Sequence, residues 1–347
     1  MSEEINNDRR RFFGSAIMTL ATARFLMRLS NMPISTITSE RGTPLGAPAR
    51  SAFDSMKQIE AGVLNVGYAE AGPANGRAVL LLHGWPYDIH AFEEVAPILA
   101  AKGYRVIMPY LRGYGTTRFL SDETIRNGEQ GAIAVDMIAL MDALKLQKAI
   151  VGGFDWGSRT AVILAALWPE RVKGLVAVSG YIITNLKANQ QPLSPKAELG
   201  WWYQYYFATE RGELGYSKNT NEFNKLIWQI ASPKWRFDDA TFDRTAAAFT
   251  NPDHVRIVIH NYRWRLSLAN GEAKYSDIEQ KLFAGPTISV PTITIGSDFD
   301  GAAADGKGYA NKFTGRYDHR ILNGIGHNVP QEDPQAFATA IADVDGY

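Results

Sequence analysis

The chain contains no cysteine, which removes a disulfide framework, a thiolate metal site and a cysteine nucleophile together. It also lacks net charge. Its 36 basic residues balance 36 acidic ones, so no long-range field favours nucleic acid or an acidic surface as a partner. There is no internal repeat and no low-complexity tract. Long apolar runs are missing too: the apolar stretch in "DRRRFFGSAIMTLATARFLM" is interrupted by Arg24 and followed at once by Arg28, well short of the roughly 20 apolar residues that span a membrane.

What that stretch does have is Arg9, Arg10 and Arg11 ahead of Phe12-Phe13 and a short apolar segment. This looks like a twin-arginine export signal. The expectation is a periplasmic or secreted protein, the alternative a cytoplasmic one with an uncleaved basic tail. Residues 1–50 are set aside from the fold as a signal-like segment and linker. The remainder of the 347 residues, in a chain 46% hydrophobic, can bury a large core.

From Gln58 onward strand-like and helix-like segments alternate, which predicts an α/β fold with a largely parallel sheet. "QIEAGVLNVGYAEAG" reads as an opening hairpin, "AVLLLHG" and "YRVIMPY" as buried strands, and "AFEEVAPILAAKG" and "AIAVDMIALMDALK" as helices. A strand over 148–154, a turn, a helix over 158–170 and the strand "GLVAVSGY" follow. Over 182–285 the pattern changes to aromatic, helical sequence with no clear buried strand, as expected of an inserted helical cap. "VPTITIGS" and "YDHRILNG" resume the sheet, and "PQEDPQAFATAIADV" closes the chain as a helix. The core is thus expected in two pieces, 51–181 and 286–347.

Between the strand at 148–154 and its helix lies "GFDWG", residues 153–157. Glycines two residues either side of a polar residue suit a sharp turn that presents a side chain at the carboxyl edge of the sheet, the nucleophile elbow. The amide groups of the helix N-terminus favour an anion there. The spacing therefore points to Asp155 as an ionised nucleophile; the alternative is an aspartate that only caps the helix. A carboxylate attacking an acyl carbon would make only an anhydride, whereas attack on an sp³ carbon bearing oxygen or halogen gives an ester that water can cleave. Asp155 thus points to alkyl transfer.

Four motifs, "HGWP" (83–86), "GFDWG" (153–157), "GSDFDG" (296–301) and "GIGHNVPQEDP" (324–334), resemble the α/β-hydrolase superfamily from Gln58 to the end of the chain. More narrowly they look like its aspartate-nucleophile branch of soluble epoxide hydrolases, haloalkane dehalogenases and fluoroacetate dehalogenases. The resemblance implies an α/β-hydrolase fold, a mostly parallel sheet flanked by helices with an inserted helical cap. It also implies His327 as the base, Asp300 as its orienting acid with Asp298 as the alternative, and backbone N–H donors from Trp85 and Trp156 for the oxyanion. Pro86 is expected to fix the first of those loops through a cis bond. The second known location for the acid, after "LVAVSGY", holds no carboxylate before Glu198. The other five histidines are expected to be structural.

For an epoxide the leaving alkoxide needs a proton, and a phenol with reference pKa about 10 is a suitable acid. The epoxide hydrolases have the look of Tyr-Gln-x-Tyr-Phe and Tyr-Arg in the cap; here "YQYYF" implies Tyr203 and "HNYRW" implies Tyr262, with Tyr205 and Tyr206 as fallbacks. An aromatic cluster that only packs is the alternative. A halide would need N–H donors, which the Trp156 indole could supply. Trp85 stands where the dehalogenases commonly carry Asn, and only Arg159 is near enough to clamp a carboxylate. The expected activity is epoxide hydrolysis to a vicinal diol on a small apolar substrate with water, needing no cofactor and no metal. The alternatives are a dehalogenase and a non-catalytic small-molecule receptor. A homodimer is compatible with the sequence.

Overall fold

The computed structural model describes residues 52–347, so the signal-like segment expected at 1–50 lies outside the described residues. The chain opens with an antiparallel hairpin, β1 (Lys57–Ala61) and β2 (Leu64–Ala71). Next come β3 (Arg77–Leu82), helix α1 (Val95–Ala101), β4 (Tyr104–Pro109) and the two-residue β5 (Arg118–Phe119). Helix α2 (Gln130–Ala143), β6 (Ala149–Gly153), α3 (Trp156–Leu167) and β7 (Val172–Val178) complete the first part. After a helical stretch come β8 (Thr292–Ser297), β9 (Tyr317–Leu322), α12 (Val329–Glu332) and α13 (Pro334–Asp345).

The strands form one sheet in the order β1-β2-β4-β3-β6-β7-β8-β9, with β5 beside β2. Pairing is antiparallel up to β2–β4 and parallel from β4 onward. Helices α1 and α13 pack together against β4 and β7, and α2 and α3 pack together against β1, β6 and β7. Strands covered on both faces need apolar side chains throughout, and Val79 to Leu82 in β3 and Leu175 to Val178 in β7 are accordingly buried. Parallel pairing also sends β3, β6, β8 and β9 to a common carboxyl edge, where the loops bearing the four motifs meet.

Several element boundaries differ from the sequence expectation. Helix α3 begins at Trp156 rather than Ser158, so Asp155 is the residue immediately before the first helical turn. The closing helix is two helices, because Pro334 has no N–H to continue α12; Asp333 instead accepts from Ala336 N–H at 2.9 Å to start α13.

Between β7 and β8 the chain is helical: α4 (Leu186–Asn189), α5 (Pro195–Gly200), α6 (Trp202–Phe207), α7 (Glu210–Lys218), α8 (Thr220–Ala231), α9 (Asp239–Ala246), α10 (His254–Arg265) and α11 (Ser276–Phe283). In α8 the buried residues Asn224, Ile227, Trp228 and Ala231 recur at the spacing of one helix face, while Glu222 and Gln229 face solvent. Both ends of this insertion are fastened to the first turn of α2. Thr184 N–H donates to Gln130 Oε1 at 2.8 Å and Gln130 Nε2 donates to the Thr184 carbonyl at 3.1 Å. Glu279 on α11 accepts from Gly131 N–H at 2.8 Å and from Gln130 Nε2 at 3.0 Å. Among the described residues no helix is long and apolar enough to cross a membrane.

Burial pushes the Glu279 carboxyl up to about 7, against the opposing effect of its bonds to Gln130 and Gly131. Because the folded value lies above the ordinary 4.5, the stability Glu279 lends is full below that pH and is lost as the pH rises through about 7. Unfolding by urea at pH 4.5 and pH 8 should show wild type losing as much as about 3 kcal/mol relative to Glu279→Gln over this range. A difference between the two proteins that does not change with pH would contradict the assignment.

Candidate active site

Asp155 sits at φ 52° and ψ −124°, a backbone conformation that a residue with a side chain holds only when its surroundings enforce it. The enforcement is steric. A Cβ on Gly157 would come within 1.8 Å of the Leu82 carbonyl oxygen, so α3 approaches the end of β3 as closely as backbone allows. Although Asp155 occupies the N-cap position of α3, its carboxylate makes no capping bond to that helix. It points instead across the sheet edge, where Oδ1 accepts from Trp85 N–H at 2.7 Å and Oδ2 lies 3.3 Å from His327 Nε2.

The charge of Asp155 follows from these neighbours. Burial acts to raise its pKa, but the hydrogen bond and charge of His327, the positive charge of Arg159 and the Trp85 N–H outweigh burial and hold the carboxyl below its ordinary value. The helix dipole of α3 acts in the same sense. Asp155 is therefore ionised at neutral pH. Trp156 is the first residue of α3, so its N–H has no carbonyl one turn earlier in the helix to bond. The Trp156 indole N–H is buried without a partner.

Trp85 precedes a cis peptide bond to Pro86, as expected. Its side chain is anchored as well as bulky: the indole N–H donates to Tyr216 Oη at 2.9 Å, and that hydroxyl also meets Asn224 Oδ1 at 3.1 Å and His254 Nε2 at 3.0 Å. His254 closes the chain on the Gly113 carbonyl at 3.0 Å, and burial brings its pKa down to about 3, so it stays neutral. His83 is likewise buried and brought down to about 4, with its Nε2 accepting from Leu111 N–H at 3.1 Å. His90 pairs with Asp88, His260 bonds the Asn270 carbonyl and His319 bonds the Ala304 carbonyl. Each of these five is bonded within the fold and none pairs with Asp155.

His327 lies in the loop between β9 and α12, with Phe299 tilted against it at 4.1 Å between ring centroids and Tyr87 at 5.7 Å. The structure brings neither expected acid into a bond with His327. Asp300 bonds Ser297 N–H at 2.9 Å and Ser297 Oγ at 3.5 Å, completing a capping box at the short 3₁₀ turn after β8. Asp298 is exposed, paired with Lys234 at 2.6 Å and accepting from Gly324 N–H at 3.1 Å. Neither carboxylate bonds His327, whose Nδ1 is buried without a hydrogen-bond partner. The physical reason is competition: Ser297-x-x-Asp300 is a helix-start signature, and its reciprocal bonds claim the carboxylate.

The two tyrosines meet beside Trp85. Tyr203 on α6 and Tyr262 on α10 are 5.3 Å apart between ring centroids, and each ring lies 5.1 Å from Trp85. Burial, and to a lesser degree the Asp155 charge, pushes the Tyr203 hydroxyl up; burial together with Tyr203 and Asp155 does the same to Tyr262. Both therefore keep their protons at neutral pH. Tyr205 is exposed and bonded to Glu198, and Tyr206 stacks on Phe223, so the fallbacks are directed elsewhere. Arg265 stands over the Tyr262 ring at 5.6 Å, and the buried Arg159 bonds the Ile182 carbonyl through Nε at 3.0 Å.

A cavity of about 250 Å³ opens over this group, lined by Trp85, Asp155, Trp201, Tyr203, Phe299 and His327, with Ile227, Ile230 and Ala231 of α8 as a further wall. The sequence reading missed Phe299, which lies inside a quoted motif. It also missed Ser232 and Glu332, whose part is visible only in space. Among the described residues no cluster of His, Asp and Glu could hold a metal ion.

Comparison with known proteins bears on this arrangement. Residues 77–212 match the family described as alpha/beta hydrolase fold. The chain is 32% identical over 150 residues to epoxide hydrolase B of Mycobacterium tuberculosis, a match covering 40% of this chain and only 41% of that protein. It is 23% identical to epoxide hydrolase A of the same organism, over 86% of this chain and 97% of that one. A crystal structure from Klebsiella pneumoniae, whose assignment as an epoxide hydrolase is itself provisional, is 59% identical, with a TM-score of 0.84 over 86% of this chain and 99% of that chain. With that identity over nearly the whole length of a solved relative, and with an elbow aspartate facing a histidine and an N–H donor at the sheet edge, the chain belongs to the α/β-hydrolase family as an epoxide hydrolase-like member.

Proposed function

We propose that this protein hydrolyses epoxides to vicinal diols through an ester on Asp155. The observation that carries the reading is the Asp155 carboxylate, ionised and held between Trp85 N–H at 2.7 Å and His327 Nε2 at 3.3 Å beside the cavity. The oxygen bonded to Trp85 is retained as the ester carbonyl. The other attacks an epoxide carbon, the ring C–O bond breaks, and its electron pair passes to the oxygen. That alkoxide takes a proton from the Tyr203 and Tyr262 pair; an alkoxide is more basic than a phenolate, so transfer remains favourable even from phenols with raised pKa.

In the second half of the reaction His327 removes a proton from water as its oxygen adds to the Asp155 carbonyl carbon. The tetrahedral oxyanion is stabilised by the Trp85 and Trp156 N–H groups. Collapse releases the diol, whose oxygen takes the proton held by His327, and leaves Asp155 as its carboxylic acid; Asp155 then loses that proton to solvent while the tyrosinate takes one up, which restores both groups. His327 is held here by its backbone and by Phe299 rather than by a bonded carboxylate. Aromatic and aliphatic walls favour a small apolar substrate.

One observation favours a second reading. The buried, unpartnered Trp156 indole N–H is suited to a departing halide, which would make the protein a haloalkane or haloacid dehalogenase with the same nucleophile. Intact-protein mass spectrometry of His327→Gln, incubated with a panel of epoxides and separately with haloalkanes and haloacids, decides between them. A mass increase equal to a whole epoxide is expected, since the ester forms but water is not activated. An increase equal to the alkyl group without halogen would transfer the assignment to dehalogenation. A folded variant that gains no mass from either panel would favour a receptor.

The tyrosines have their own test. In the His327→Gln background, replacing both Tyr203 and Tyr262 with Phe should slow ester formation from an epoxide by about 10²-fold or more. Rapid-quench mass spectrometry measures that rate directly. Undiminished ester formation in a folded protein would reduce the pair to packing.

A further inference from the structure

The amides of Gly326, His327 and Asn328 are three successive N–H groups in the loop that carries the catalytic histidine, and all three are committed to one acidic residue. Gly326 N–H donates to Glu332 Oε2 at 2.7 Å, and Asn328 N–H donates to Glu332 Oε1 at 3.1 Å. The middle amide reaches the same carboxylate indirectly. His327 N–H donates to Ser232 Oγ at 2.9 Å, and Ser232 Oγ donates to Glu332 Oε1 at 2.6 Å. Charge-assisted bonds of this kind are short, and each polarises the next.

Ser232 belongs to the helical insertion, not to the core. It is buried, follows directly on α8, and approaches the histidine loop so closely that a Cβ on Gly326 would lie 2.5 Å from its Oγ. Four residues earlier, Trp228 Nε1 donates to the Pro86 carbonyl at 2.8 Å, in the loop that supplies the Trp85 N–H. The insertion is thus bonded, through α8 and the residue that follows it, to both loops that flank Asp155, and Ile227, Ile230 and Ala231 of α8 line the cavity.

We infer that Ser232 and Glu332 are positioning residues that seat His327 for the water-activating step, making that step depend on where α8 lies. This inference rests on the reading of His327 as the base that hydrolyses the aspartyl ester. Asp155 needs neither residue to attack, so the two halves of the reaction should respond differently to their loss.

The experiment uses Ser232→Ala, Ser232→Thr and Glu332→Gln in the full chain, with an epoxide that labels Asp155 in His327→Gln. Single-turnover mass spectrometry should find ester formation in Ser232→Ala within about twofold of wild type. Ester hydrolysis should be slower by about tenfold to hundredfold, as for a catalytic group displaced by a fraction of an ångström to an ångström. The ester then accumulates during turnover. Ser232→Thr, which keeps the hydroxyl, should restore hydrolysis, and Glu332→Gln should fall between. Equal slowing of both half-reactions, or no accumulated ester in a folded Ser232→Ala protein, would overturn the inference. If no epoxide labels even His327→Gln, the epoxide reading fails and the positioning role is decided without turnover. ¹⁵N-histidine NMR should then show the His327 ring resonances displaced or broadened in Ser232→Ala, and resonances identical to wild type would overturn the inference.

Discussion

A negative charge placed at a backbone position that resists a side chain is what the rest of this structure is arranged to hold. Asp155 can stay at φ 52° only because β6 and α3 are locked against β3 through Gly157. It can stay ionised while largely buried only because Trp85 N–H and His327 meet its two oxygens and Arg159 lies one helical turn away. Each of those groups comes from a different loop or helix, and the parallel sheet is what brings them to one edge. Desolvation without these partners would neutralise the carboxylate and remove its reactivity.

A second layer of polar contacts fixes the groups that touch Asp155. The Trp85 indole is bonded to Tyr216, and Tyr216 to Asn224 and His254, so the wall behind the carboxylate is a closed hydrogen-bond chain rather than loose aromatic packing. The two tyrosines also pack against Trp85. Buried polar chains of this type define one arrangement when every member is satisfied. Among the described residues of this centre, the exceptions are the ring nitrogens His327 Nδ1 and Trp156 Nε1 and the amide Asn224 Nδ2, each buried without a partner.

How much of this was legible in the sequence depended on the range over which each feature is encoded. The elbow, the hairpin, the buried strands and the helical character of 182–285 follow from local pattern, and the carboxyl-edge position of His327 followed from the resemblance of its motif. In "GSDFDG" a second local signal is present: Ser297 and Asp300 have the spacing of a capping box, and the structure bonds Asp300 there rather than to His327. Helix α3 starting at Trp156 instead of Ser158 reflects a turn tighter than spacing alone conveys. Ser232 was out of reach for another reason. It meets His327 across 95 residues of chain, and a serine after an amphipathic helix reads as an ordinary helix end.

The attachment of α8 at two points has a consequence for how such an enzyme can diversify. A helical insertion joined only through its ends could be exchanged as a module, giving a new pocket over an unchanged reactive centre. Here the wall of the cavity and the supports of the reacting groups are the same helix, so wholesale exchange would disturb both. On α8, variation that spares the chemistry falls on Ile227, Ile230 and Ala231, which line the cavity without bonding to the core loops. On this helix the shape of the cavity is therefore tuned most freely through three aliphatic side chains.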